Sequence, residues 1–430
     1  MTTPTLHLPP PVLERLAAGG GGATAVQLLQ QIQVSRNLLL IRHLLDRWPG
    51  DARRRVDLVT ALDRARAADP DRFRQVVGAP AVAAWAAILG RAVDRDRADP
   101  ADFEQFATLA MVACARCGVD ASAEVATRDG AVSLPGVGTA TVDGPTATVA
   151  AAGHRLTVRG TASTIEASTV DGPGWQAVRY LTGSENGPGI RLALDDLDPY
   201  RHGHHAPPAP RLAPAEVAEW QRVFAATWTL LTRRIPERAE ELAAGLRVLI
   251  PLHTDSRAAR SATIRHVFGA FGLTRPTSAP DFAVTLVHEF QHSKLSALLD
   301  VVPLTDPDDD GRYFAPWRTD ARPLAGLLQG VYAFIGVADT WRALIPDDPT
   351  ATARFAEARL QADHGLAAIE RSGVERPGAV TPTGRAFLDH LRQTADRLLA
   401  EPVPEPIDRA ARKALDDLRT AWIARNGTPS

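Results

Sequence analysis

Cysteine, methionine and tyrosine are scarce in this 430-residue chain, with 2, 2 and 4 residues respectively, and only two of its 48 basic residues, Lys294 and Lys413, are lysine. Two cysteines exclude both a disulfide framework and a four-thiolate zinc site. They lie as Cys114-x-x-Cys117 at the end of an amphipathic run, Leu109-Ala-Met-Val-Ala-Cys-Ala-Arg-Cys-Gly. That place suits two reduced, packed thiols better than a redox pair, which opens a helix beside a strand. An excess of one charge is missing as well. The 48 basic and 50 acidic residues leave a net charge of −2, so neither nucleic acid nor a membrane surface is expected as partner. No apolar run is long enough to span a bilayer, and the N-terminus lacks the basic region and apolar stretch of a secretory signal, so a cytoplasmic location is expected.

What is present divides by texture. At this length two to three domains are expected. Residues 1–127 predict helices, with Val26, Leu29 and Ile32 on an apolar stripe after a flexible break at Gly19–Gly22. Residues 128–200 predict a small β-rich region. There Ala147-Thr-Val, Arg155-Leu-Thr-Val-Arg, Trp175-Gln-Ala-Val-Arg-Tyr-Leu and Ile190-Arg-Leu-Ala-Leu alternate at period two between Asp-Gly, Gly-Pro and Asn-Gly turns. Its strand edges offer a place for a leader peptide to add as a further strand. Residues 201–430 return to helical periodicity from Pro214 onward. The fold class expected is α+β, mainly helical.

Inside the last region lies His288-Glu289-Phe290-Gln291-His292, an H-E-x-x-H motif. Ser278 as N-cap, Pro280 in the first turn and Asp281 three residues after the cap predict a helix here. Positions i and i+4 share one helix face, so both imidazoles can grip one metal ion. The apolar Val284, Leu286 and Val287 before the motif imply partial burial, and buried imidazoles beside a carboxylate call for a partner such as a metal. Other histidines are weaker candidates. His202, His204 and His205 fall in a Pro- and Gly-rich connector, and His253, His266, His364 and His390 are isolated.

The chemistry depends on the third ligand. In zinc hydrolases the motif glutamate, here Glu289, is the base that takes a proton from metal-bound water. Leu295 and Leu298 stand where a metzincin extension needs glycine and histidine, and Leu324 to Trp341 contains no glutamate for a thermolysin-like site. Asp300, eight residues on, is about 12 Å along an unbroken helix. Gln329 is a neutral amide, and Asp320 lies in a polar, aromatic loop that can fold back over the motif. Asp320 is the preferred third ligand, with Gln329 and Asp300 as alternatives. Two histidines and one carboxylate also form the ligand set of non-haem iron(II) oxygenases.

Three joined segments carry a resemblance. His288-Glu-Phe-Gln-His-Ser-Lys-Leu-Ser-Ala-Leu-Leu-Asp-Val-Val-Pro-Leu, Tyr313-Phe-Ala-Pro-Trp-Arg-Thr-Asp-Ala-Arg-Pro-Leu and Gly326-Leu-Leu-Gln-Gly-Val-Tyr-Ala-Phe resemble the H-E-x-x-H family of α-ketoglutarate-dependent peptide β-hydroxylases. The similarity extends over most of the chain, through Leu197-Asp-Pro-Tyr-Arg and the Pro214 helix. It implies iron(II), α-ketoglutarate and O2 as cofactors at His288 and His292, with Asp320 the third ligand preferred above. It implies a ribosomally synthesised precursor peptide as substrate and a radical-SAM maturase in the same pathway. Glu289 would handle protons beside the metal. Arg318 and Arg322 would hold the far carboxylate of the cosubstrate through their bidentate forks, with Lys294 as an alternative contact, and Trp317 and Tyr313 would wall the pocket. One departure is Phe334, where the resemblance leads to an expected histidine. The alternatives are a zinc-dependent metallopeptidase using Glu289 as general base and a catalytically inactive, peptide-binding relative.

Overall fold

A computed structural model describes residues 8–184, 187–202, 207–253 and 260–427. Among them the chain is α+β and mainly helical, with thirteen α-helices and twelve strands. No single helix among the described residues is long and apolar enough to cross a membrane.

The first part comprises α1 (Pro10–Ala17), α2 (Gly22–Asp46), α3 (Ala52–Ala68), α4 (Pro70–Val77), α5 (Pro80–Val93) and α6 (Gln105–Arg116). Proline at the first turn and Asp51 or Asp69 at the caps begin several of them, as helix-end chemistry requires. Seven strands follow: β1 (Ala121–Ala126), β2 (Ala131–Leu134), β3 (Gly138–Thr141), β4 (Thr146–Ala152), β5 (Arg155–Arg159), β6 (Thr164–Glu166) and β7 (Trp175–Ala177). They form a sheet ordered β1-β4-β5-β6 and another ordered β2-β3-β7. Both share an apolar core with α3 to α6, in which Cys114 and Cys117 are free, buried thiols. Burial pushes the Cys114 thiol up to about 11, which suppresses thiolate chemistry there.

The alternating run Trp175 to Leu181 reads as one strand but serves two sheets. It breaks at Val178, whose N–H donates to Val137 O, and resumes as β8 (Arg179–Gly183), which pairs with β9 (Ile190–Leu194). After α7 (Pro214–Arg234) and α8 (Pro236–Gly245) come β10 (Val248–Pro251), β11 (Ser261–Thr263) and β12 (Ala270–Leu273). These complete a five-stranded sheet, β11-β12-β10-β9-β8, parallel at β12-β10-β9 and antiparallel at both ends. Period two does not reveal β10 and β12, because parallel strands covered on both faces are short continuous apolar runs; all four residues of β12 are buried.

The motif helix, α9 (Ala279–Leu299), begins at the expected place. Ser278 Oγ accepts from Asp281 N–H at 3.2 Å and donates to the Asp281 carboxylate at 2.7 Å. Helices α10 (Leu324–Leu344), α11 (Ala351–Glu375), α12 (Pro382–Ala400) and α13 (Glu405–Asn426) complete the chain. α9 is enclosed by α7, α2, α10 and the sheet, burying Phe282, Leu286, Val287, Phe290, Leu295 and Leu298 on several faces. Each such side chain contributes about 1.5–3 kcal/mol.

The Gly19–Gly22 run, expected as a flexible break, is instead gripped from three sides. Arg238 Nη1 donates to Gly19 O at 2.5 Å, Gln291 Nε2 to Gly19 O at 3.0 Å, and Lys294 Nζ to Gly20 O at 2.9 Å. Lys294 is fully buried and pairs with Glu241 at 2.6 Å. Burial lowers its ammonium to about 8, while Glu241, which burial alone would raise, is held low by Lys294 and Arg238.

Candidate metal centre

α9 and α10 pack side by side and carry the site between them. On α9, His288 and His292 converge with their Nε2 atoms 3.2 Å apart. Two imidazole nitrogens bound to one ion at about 2.0–2.1 Å each lie about 2.9–3.4 Å apart at octahedral to tetrahedral angles, so the pair fits a divalent metal. His292 Nδ1 lies 3.1 Å from Gln329 Oε1 on α10, and Gln329 Nε2 donates to Ser296 Oγ at 3.2 Å. The amide oxygen can only accept, so Nδ1 carries the hydrogen and the lone pair stays on Nε2, facing His288. Burial, reinforced by the neighbouring His292, pushes His288 down to about 4, with Glu289 opposing. At neutral pH its imidazole is therefore uncharged and able to ligate.

Gln329, an alternative third ligand by sequence, thus acts through His292. Outer partners of metal-bound histidines typically contribute 10–100-fold to affinity. Gln329→Leu should weaken cobalt(II) binding, read by its visible absorption, by about that factor. An unchanged affinity would show that Gln329 does not set the tautomer.

Glu289 is almost wholly buried and faces β11. Ser261 Oγ donates to its Oε1 at 2.7 Å, and Thr263 Oγ1 donates to its Oε2 and, at 3.1 Å, to its main-chain carbonyl. Its Oε1 remains 3.9 Å from His288 Nε2. Both carboxylate oxygens are therefore engaged in tying α9 to the sheet edge. The paired hydroxyls Ser261-x-Thr263 were a visible period-two signal, but nothing in sequence spacing connected them to residue 289.

Asp320 does not join the histidines. Arg318 Nε donates to its Oδ1 at 2.8 Å and Arg322 Nη1 to its Oδ2 at 3.2 Å, which holds the carboxyl down at about 2. A carboxylate with a guanidinium two residues away on either side finds both locally, with almost no loop to close. Asp300, at the end of α9, accepts from Gln33 Nε2 at 2.9 Å and is also away from the pair. Among the described residues no third His, Cys, Asp or Glu completes a group with His288 and His292. Lys294, proposed as a cosubstrate contact, belongs to the buried Glu241 cluster instead.

The histidines open into a cleft of about 580 Å³, lined also by Arg265, Arg318, Arg322, Gln329 and Phe334. Its roof is the loop 313–322, closed at the base by mutual backbone bonds between Tyr313 and Arg322. Tyr313, expected as a pocket wall, is instead buried at the base of this loop with its hydroxyl 2.6 Å from Ser372 Oγ and does not line the cleft. Trp317 wedges over Gly330, where a Cβ would lie 2.1 Å from the indole, so only glycine admits the ring. Trp317 stacks on Phe334 at 4.5 Å, and Phe334 meets His288 edge-on at 5.7 Å between centroids. Phe334, where a histidine was expected, therefore stands between Trp317 and His288 on the α10 side of the pair. His204 and His205 lie outside the described residues; His202 is exposed. Comparison with protein-family models and with curated proteins finds no match for this chain.

Proposed function

We propose that the cleft is the active site of an iron(II)- and α-ketoglutarate-dependent oxygenase that hydroxylates the β-carbon of a residue in a ribosomally synthesised peptide. The observation that carries this reading is the His288–His292 pair, convergent at 3.2 Å in a cleft lined by three arginines. Iron(II), held by these two imidazoles, would supply with the keto acid and O2 the oxidising chemistry of the reaction. With two protein nitrogens and a chelating keto acid, an ion that takes about six ligands still has open positions. His292 is oriented by Gln329, and Arg318 and Arg322 offer forks for a carboxylate that points away from the metal. Trp317 of the roof and Phe334 of α10 limit water beside the histidines.

The peptidase reading is less well supported. Glu289 spends both oxygens on Ser261 and Thr263, and the following helix α10 has no glutamate to ligate zinc. Phe334 against His288 favours, as the second reading, a peptide-binding relative without turnover.

Anaerobic addition of iron(II) and then α-ketoglutarate tests the proposal. A weak visible charge-transfer band should appear in the parent protein and be absent in His288→Ala. No band in the parent, with tight zinc binding instead, would overturn it.

A further inference from the structure

β11 lines one side of the same cleft, and among the described residues nothing pairs with the outward main chain of Ser261 and Thr263. Thr274 N–H donates to Arg260 O, which makes residues 260 and 274 a hydrogen-bonded pair of the antiparallel ladder. Such pairs alternate, so Ala262 faces Gly272 on β12, while the main-chain N–H and C=O of Ser261 and Thr263 point away from the sheet. The side chains of these two residues are committed to Glu289. Among the described residues no side chain bonds their outward main chain.

Two other sheet edges are capped by side chains. On β8, Gln221 accepts from Thr182 N–H at 2.9 Å and donates to Thr182 O at 2.8 Å, occupying both edge groups. On β1, Arg54 donates to Glu124 O and Glu104 accepts from Ala126 N–H. Side chains that cap an edge prevent unwanted pairing, so an uncapped edge beside a reactive centre marks a place for a strand.

Charge identifies what kind of strand. Arg265, two residues past β11, lines the cleft, is exposed, and has no hydrogen bond or ion pair among the described residues. Arg318 and Arg322 share the single carboxylate of Asp320. Three guanidiniums face the cleft against Glu289, buried and bound by two hydroxyls, and Asp320 outside it, a cationic balance that attracts carboxylates. Sequence reasoning missed Arg265 because it lies in a short irregular stretch without a periodic signal.

We infer that the β11 edge binds an extended acidic peptide segment as an added strand, with Arg265 holding an acidic side chain of that segment. Backbone pairing with Ser261 and Thr263 sets the depth of the peptide, and Arg265 sets its register relative to His288 and His292. This rests on reading the cleft as a peptide-modifying site.

The test uses the full chain without added metal and a fluorescein-labelled, end-blocked heptapeptide of alternating valine and aspartate, followed by anisotropy. Replacing aspartates with asparagines should weaken binding at least about fivefold. N-methylating the amides of one alternate set should weaken it at least about tenfold, and the other set less than about twofold, because only one set faces β11. Arg265→Ala should remove the preference for aspartate and leave the alternate pattern intact. Equal sensitivity of both sets, aspartate preference that survives Arg265→Ala, or no binding at about 1 mM peptide would overturn the inference. Binding of this form without the iron–keto acid band would keep the docking edge and remove the oxygenase reading. The band without binding would do the reverse.

Discussion

Glu241→Leu should destabilise the fold by about 3–5 kcal/mol, the effect of breaking a buried ion pair and leaving its cation uncompensated. Lys294 Nζ sits 2.6 Å from Glu241 with no solvent exposure, and Arg238 Nη1 adds a second cation at 3.2 Å. Without the carboxylate, Lys294 would rely on the carbonyls of Gly19 and Gly20, and Arg238 on Gly19 O and the more distant Asp339 at 3.6 Å. Denaturant unfolding midpoints measure the loss. Lys294→Met should destabilise less, because Glu241 keeps Arg238 and the Gly22 N–H, and the double variant should lose less than the sum of the singles.

The pH dependence follows in sign. Burial already brings Lys294 to about 8 in the parent, and removing Glu241 lowers it further. The group is then depressed in the folded chain, so the unfolded chain binds its proton more tightly. Stability contributed by that difference is present above the ordinary lysine range and is lost as pH falls through the folded value. The deficit of Glu241→Leu should accordingly narrow as pH rises toward about 8, where the parent lysine also loses its proton, and stay level above that. A loss under about 1 kcal/mol, independent of pH, would mean that the cluster is hydrated and does not pin the glycine loop.

Phe334→His should raise affinity for cobalt(II) or zinc(II) by at least about tenfold, or about 1.4 kcal/mol. The ring at 334 meets the edge of His288 at 5.7 Å between centroids, close enough for an imidazole there to turn a third nitrogen toward the ion. Trp317, stacked on the other face at 4.5 Å, would hold it in place. Phe334→Leu, which keeps the volume apolar, should give no gain. Equal affinities for the histidine and leucine variants would show that position 334 does not face the metal.

The motif helix and its convergent histidine pair were legible because their causes are local. Ser278 and Asp281 cap α9, and the i, i+4 spacing alone puts His288 and His292 on one face. The strands β4, β5 and β9 were legible for the same reason, as alternation along a half-buried sheet. β10 and β12 were not, since both faces are covered and no alternation remains. The rest of the site was decided by residues distant in sequence. Ser261 and Thr263 lie 28 and 26 residues before Glu289, and Gln329 lies 37 after His292. Asp320 looked like a ligand by type and loop, yet two neighbouring arginines reach it first. Lys294 shares a helix with the histidines and turns the other way, into a cluster with Glu241 and the carbonyls of Gly19 and Gly20. Helix periodicity specifies which residues share a face. Which partner a buried charge finds depends on the desolvation that packing imposes, and only the tertiary structure sets that.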